Sequence, residues 1–206
     1  MKYPYALLIV YVLLFVICGI APYDRGVWVA ENFPIVLIVA GIFVLSRYHR
    51  FSNLAYTLMA VLVMLHTIGG HYTFERVPFD WVTDLFGFER NHYDRMAHFS
   101  VGFYAFAIAE LLAAKDLVRS RTVLYLFPVF SILAVAAGYE IFEWGFAVAA
   151  DPEAGIAVLG SQGDIWDAQK DMLADGLGAV FATLLYAALC GSARNRSNRA
   201  GASTSS

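Results

Sequence analysis

Three segments of this 206-residue chain carry carboxylates and imidazoles at helical spacing. In Asn91-His92-Tyr93-Asp94-Arg95-Met96-Ala97-His98, Asp94 and His98 stand at i,i+4 and share one helix face. In Tyr139-Glu140-Ile141-Phe142-Glu143-Trp144 the two glutamates stand at i,i+3. At about 100° per residue, Asp164, Asp167, Asp171 and Asp175 fall within an arc of about 80°, an acidic stripe running down one helix. Such side chains suit a mixed carboxylate–imidazole site for Mn, Fe or Zn, or a carboxylate site for Mg or Ca. The candidate metal ligands are Asp94, His98, Glu140, Asp167 and Asp171. Glu140, Glu143 and Asp171 are the candidate catalytic acid/base groups, and a metal-activated water with a nearby glutamate as base is the economical hydrolytic mechanism. Arg95, Lys170, Gln162 and Trp166 are the candidate substrate contacts, the two cations suited to a phosphate or a neighbouring acid. The chain shows no His-Glu-x-x-His motif, no nucleophilic serine or cysteine arrangement and no phosphate-cradling glycine loop.

The elements that must position these residues are membrane helices. Hydrophobic residues make up 60% of the chain and charged ones 15%, against roughly 45–50% and about 25% in soluble domains. A helix needs about 20 mainly apolar residues to cross a bilayer core. Six stretches qualify or nearly do: 5–21, 33–46, 54–71, 95–114, 122–148 and 168–190. Val27–Ala30 can extend the second backwards, and the fifth is long enough to require a tilt or a bend near Pro128 or Gly138. The expected fold is an all-α polytopic bundle of six transmembrane helices, a single membrane domain over 1–190, with a disordered cytoplasmic tail over 191–206 that lacks any hydrophobic pattern. The first stretch reads as a span rather than a cleaved signal, because no small-x-small site closes it. Cys18 and Cys190 fall at opposite ends of their spans, too far apart for a disulfide.

Alternating the six spans sorts the charges. Fifteen of the seventeen acids fall on one side, or in the membrane half beneath it, with five bases. The other side holds nine bases, and only Glu110 and Asp116 as acids. Lysine and arginine mark the cytoplasmic side, so both termini are expected inside and the acidic side outside. Loop 72–93 interleaves aromatics with acids, and Pro78 can open a short helix that Gly87 ends, lying in the interface. Loop 149–166 is rich in turn formers. A central aspartate costs roughly 2.5–3.5 kcal/mol against lipid, so the acidic stripe should face the bundle or a wet cavity, with Asp171 and Asp175 deepest. Gly176, Gly178 and Ala182, with Gly138 on the fifth span, are expected to let helices approach and seat the stripe against Glu140 and Glu143. Crowded carboxylates need compensation: protons, histidinium at His92 or His98, or a bound cation. His66 reads best as an interhelical hydrogen-bonding group.

The stretches His92–Phe99 with Gly102-Phe103, Tyr139-Glu140 with Glu143-Trp144, and Leu159-Gly160-Ser161-Gln162-Gly163-Asp164-Ile165-Trp166-Asp167-Ala168-Gln169-Lys170-Asp171-Met172 resemble the YjdF-like family. Its members are bacterial multi-pass inner-membrane proteins of unknown function. The resemblance runs over nearly the whole chain up to the tail; it implies six spans and supplies no activity. Asp94-Arg95-x-x-His98-Phe99 is also similar to the Asp-Lys-x-x-His-Phe helix start of VanZ-like envelope proteins, which implies envelope lipid or lipid-linked chemistry. Three functions are open at this stage. The first is an inner-membrane protein whose outward pocket binds a divalent cation and a lipid or envelope-derived substrate. The second is a small proton- or cation-coupled transporter, and the third a structural or assembly factor. Membrane lipids are the expected partners and nucleic acid is not; the sequence names no protein partner. The orientation is testable with reporters. Green fluorescent protein fused after residue 190 should fluoresce and alkaline phosphatase inserted in loop 72–93 should be active; the reverse pattern would invert the topology.

Overall fold

The computed structural model describes residues 2–149 and 161–203, with the side chains of Phe146, Ser161 and 191–203 excepted. Its helices are α1 (Lys2–Ile20), α2 (Arg25–Tyr48), α3 (Asn53–Tyr72), α4 (Asp80–Phe86), α5 (Tyr93–Val101), α6 (Tyr104–Ala114), α7 (Arg121–Ala149) and α8 (Asp167–Ser203). No strand occurs among the described residues. Six segments are long and apolar enough to cross a membrane: α1, α2, α3, α5 with α6 taken together, α7, and α8 as far as Cys190. The all-α bundle of six membrane helices is therefore what the sequence leads one to expect. The turn-rich stretch Asp151–Gly155 lies outside the described residues. The tail expected beyond residue 190 falls on a helical backbone as far as Ser203; its side chains, and all of 204–206, are outside them too.

Local chemistry sets the helix ends. Asp24 accepts a hydrogen bond from the Val27 amide at 2.8 Å, so α2 starts at Arg25, well before the stretch at 33–46. Ser52 caps α3 through Ala55 N, and Glu110 at the end of α6 accepts from both the amide and hydroxyl of Ser52, at 2.6 Å each. That carboxylate ties the α2–α3 turn to the end of α6. Gly87 ends α4 with a left-handed φ of 65°, as the turn signal implies, although the helix opens at Asp80 rather than at Pro78. α7 runs unbroken through Pro128 and Gly138.

α3 is central: α1, α2, α5 and α6 all pack on it, and α8 packs on α5, α6 and α7. Small side chains line the seams. Ala55, Ala105, Ala109, Ala179 and Ala182 have no exposed surface, and Phe106 fills the space between them. The outside is apolar, with Ile9, Leu13, Ile17, Phe33, Leu37, Phe130, Ile141 and Leu184 all exposed. In a bilayer these side chains meet lipid and lose nothing.

α5 and α8 meet backbone to backbone. A Cβ at Gly178 would overlap the Phe99 carbonyl oxygen, and one at Gly102 would overlap the backbone of Gly178 and Ala179. Here the fourth span, expected to be continuous over 95–114, is interrupted. Phe103 N bonds Ser100 O at 3.1 Å and Ala105 N bonds Gly102 O at 3.0 Å, a tighter i,i+3 pattern that separates α5 from α6. Gly176 meets only the flexible tip of Leu133 on α7. Gly138 corrects the sequence reading, because a Cβ there meets nothing within 4 Å and the residue is exposed. The backbone approach of the acidic helix is thus to α5, while Gly176 meets the glutamate helix through a side chain. Gly178→Leu should destabilise the protein by about 1–3 kcal/mol or more through overpacking, whereas Gly138→Leu should stay within about 0.5 kcal/mol. Unfolding in detergent micelles measures both; equal effects would remove Gly178 from its place at the seam.

Candidate functional site

The Gly102–Gly178 contact brings the polar turns of α5 and the start of α8 face to face. Asp164 precedes the helix rather than lying on it: it accepts from the Trp166 amide at 3.1 Å through its side chain and from the Asp167 amide through its carbonyl. The helical stripe is therefore Asp167, Asp171 and Asp175, all buried, with exposure falling from 8% to 4% to 1% down the helix. This order matches the expected depth, and the stripe faces protein as the cost of a lipid-facing aspartate requires.

Arg95 on α5 fills the gap between the helices. Its guanidinium donates to Asp167 and to Asp171 on α8, reaches Asp94 at 3.3 Å, and lies 3.8 Å from Asp164. One turn further on, His98 stands among three acids. Its Nε2 is 3.7 Å from Asp94 and 3.6 Å from Asp171, and its Nδ1 is 3.3 Å from Asp175. Asp94, His98 and Asp171 each offer one ligand atom, and these three atoms lie within 4.8 Å of one another. Two helices supply them, and a cation of ordinary coordination distances could be shared among them.

Ahead of the start of α8, Arg90 bonds Asp164 at 3.1 Å and Asp167 at 3.0 Å. Lys170, itself exposed, bonds Asp164 at 2.6 Å, and its ammonium holds that carboxyl below the usual carboxylate range. Gln162 takes a left-handed φ of 63° and clamps Asn91 on both sides, accepting from its amide and donating to its carbonyl at 2.9 Å each. Asn91 in turn donates to the carbonyls of Glu75 and Val77. Three loops are stitched together in this way above the acidic helix.

The residues singled out from sequence divide. Asp94, His98 and Asp171 converge. Asp167 is engaged by Arg90 and Arg95. Glu140 interacts electrostatically with His98, Asp171, Asp175 and Asp94, and Glu143 with Glu140, Glu31, His98 and Asp94. Among the described residues, no hydrogen bond joins either glutamate to the converging three. Of the substrate contacts, Arg95 is enclosed by carboxylates, Gln162 serves loop geometry, Lys170 sits at the rim, and Trp166 is exposed.

Two features escaped the sequence reading. Arg90 was counted with its face but not with the site, since a loop arginine carries no spacing signal. The second is Glu31 on α2, which meets His66 on α3 at 3.1 Å and adds its charge to the field at Tyr139 and Glu143. Its signal was available, because an acid inside a membrane helix marks a partner. Gly70 makes room for that contact, for a Cβ there would crowd Glu31 and Asn32.

A bundle of six membrane-length helices with a buried ionic cluster towards one end defines a polytopic membrane protein. The chain belongs to the family described as predicted membrane protein (DUF2238), which matches residues 3–192. It is 33% identical over 177 residues to the inner membrane protein YjdF of Escherichia coli (strain K12), covering 85% of this chain and 84% of that one. No solved structure matches it. These comparisons bear out the YjdF-like resemblance and lend no support to the VanZ-like one.

The ion-pair geometry makes a direct prediction. Arg95→Gln leaves Asp167 and Asp171 facing each other with less compensation and should cost about 3–5 kcal/mol. Arg95→Gln with Asp171→Asn should cost clearly less than the sum of the two single changes. A double-mutant cycle from unfolding in micelles checks this; additive effects would mean that the contact carries no stabilisation.

Proposed function

We propose that this is an integral inner-membrane protein in which Asp94, His98 and Asp171 hold a divalent cation, drawn from Mn, Fe, Zn and Mg, at a pocket on the outer side. The pocket serves a lipid or envelope-derived substrate. The observation that carries the reading is the convergence of three ligand atoms within 4.8 Å from α5 and α8. The inner membrane is inferred from the 33%-identical relative, an inner membrane protein, and the outward orientation from the segregation of lysine and arginine.

Charge balance supports a cation. Glu31, Asp94, Glu140, Glu143, Asp164, Asp167, Asp171 and Asp175 form one interacting set, and Arg90, Arg95 and Lys170 are its permanent cations. Eight acids against three permanent cations leave five without one, and histidinium at His98 would compensate one of them. A bound divalent cation would offset two more of these charges and, when bound, would polarise an oxygen of water or substrate. Glu140 and Glu143 are the acid/base groups of this reading, and Arg90 and Lys170 stand where an anionic headgroup would approach.

One observation favours a second reading. Arg95 already occupies the space between Asp94, Asp167 and Asp171, as a structural ion-pair plug would. In that case the cluster orders the bundle and the protein is an assembly or scaffolding factor. A transport path has less support, because Gly176 to Cys190 on α8 contains no charged residue to continue a relay.

Metal content separates the first two readings. The protein purified in detergent should carry about one transition metal per chain by mass spectrometry, and Asp171→Asn should lose it while keeping its helical content. A metal-free protein whose melting temperature ignores added Mn, Zn or Mg would leave the ion-pair plug as the function of the cluster.

A further inference from the structure

At the opposite end of the bundle, α1, α2 and α3 line a half-open cavity of about 800 Å³ that plays no part in the acidic cluster. Its volume is within the range of small-molecule sites, roughly 300–1,000 Å³. Leu7 and Leu8 of α1, Val39 and Ile42 of α2, and Ala60 and Val63 of α3 give it an apolar wall. Two polar groups in the wall are already paired: the Tyr56 hydroxyl donates to Ser46 Oγ at 2.9 Å, and the Tyr3 hydroxyl lies 2.6 Å from Thr57 Oγ1. They ask nothing of a ligand, whereas the buried hydroxyl of Tyr11, also in the wall, has no hydrogen-bond partner. The interior suits a hydrocarbon chain.

The rim is cationic. Arg47, on the last turn of α2, has its guanidinium 5.9 Å from the ring centre of Phe43, itself a lining residue, and Arg50 follows in the α2–α3 turn. Both are exposed, and the lining contains no acid. Among the described residues neither arginine has a carboxylate partner, while Glu110, the acid closest to this turn in contact terms, is held by Ser52. An apolar slot between membrane helices with two unneutralised arginines at its basic end is complementary to an amphiphile with an anionic head. A basic pocket of this kind on the cytoplasmic side binds anionic lipid headgroups.

We propose that the cavity between α1, α2 and α3 binds an anionic phospholipid, with an acyl chain between the helices and the phosphate on Arg47 and Arg50. The site is distinct from the acidic cluster and stands whether or not that cluster holds a metal.

Native mass spectrometry of the detergent-purified full chain, delipidated and then offered phosphatidylglycerol or phosphatidylcholine, tests it. The parent should retain one phosphatidylglycerol, with phosphatidylcholine bound about tenfold more weakly. Arg47→Gln with Arg50→Gln should lower phosphatidylglycerol retention about tenfold and abolish the preference. The double lysine variant, which keeps both charges, should preserve it. Ala60→Phe, which fills the cavity, should lower retention of both lipids. Circular dichroism and gel filtration establish that each variant is folded, and if the double glutamine variant is not, the parent's selectivity and the other two variants decide. Equal retention of the two lipids by the parent, unchanged retention in a folded glutamine variant, or unchanged retention in Ala60→Phe would each overturn the proposal.

Discussion

Everything at the acidic end depends on one guanidinium. Asp167, Asp171 and Asp175 lie on a helix face that lipid cannot accept, so α8 needs a neighbour that brings positive charge and hydrogen-bond donors into the bundle. Arg95 supplies both to Asp167 and Asp171, and its planar fork serves two carboxylates at once in a way a lysine ammonium would not. The contact is possible only because α5 and α8 approach at Gly102 and Gly178, where side chains would hold them apart. Backbone proximity and ion pairing are therefore coupled. The glycines bring the charges within reach, and the ion pairs offset the burial of acid that the approach entails.

The coarse fold was legible because membrane insertion is a strong constraint: six apolar stretches of adequate length admit few arrangements. The depth order of the aspartates and the i,i+4 contact of Asp94 with His98 followed from helical geometry alone. What the sequence concealed was pairing between helices. Gly138 and Gly178 are equivalent as small residues, yet only Gly178 meets another backbone, since the distinction depends on which helix lies opposite. The division of the fourth span at Gly102–Phe103 has the same origin. It reflects a seam, and neither residue by itself breaks a membrane helix. Asp164 was placed on the stripe because the α period was carried one turn too far, across a segment whose polar groups serve the start of α8.

Local spacing also failed where charge crosses between elements. Arg90 belongs to the cluster through a loop held by Gln162 and Asn91, and the pair Glu31–His66 belongs through α2 and α3. Neither has a periodic signature. Both are nevertheless demanded by energetics, as a cluster with so many carboxylates must recruit every cation and proton donor in reach. Counting charges within the membrane segments, rather than looking for patterns, would have identified Glu31 and His66, though not the loop residue Arg90.

The two ends of the bundle have opposite electrostatic designs. At the acidic end, charged groups are drawn inward and satisfy one another, so that permanent cations are spent on internal carboxylates. At the basic end Glu110 is committed to the α2–α3 turn, while Arg47 and Arg50 stay exposed beside an apolar cavity. Between them the core is mainly alanine with leucine, phenylalanine, tyrosine, methionine and isoleucine, and α8 carries no charged side chain from Gly176 to Cys190. An ion moving from one end to the other would have to cross that core without ligands, at the several kcal/mol that an unpaired charge costs in hydrocarbon. Charge is therefore gathered towards the two ends of the bundle, and α8 offers no charged group between them to continue a relay.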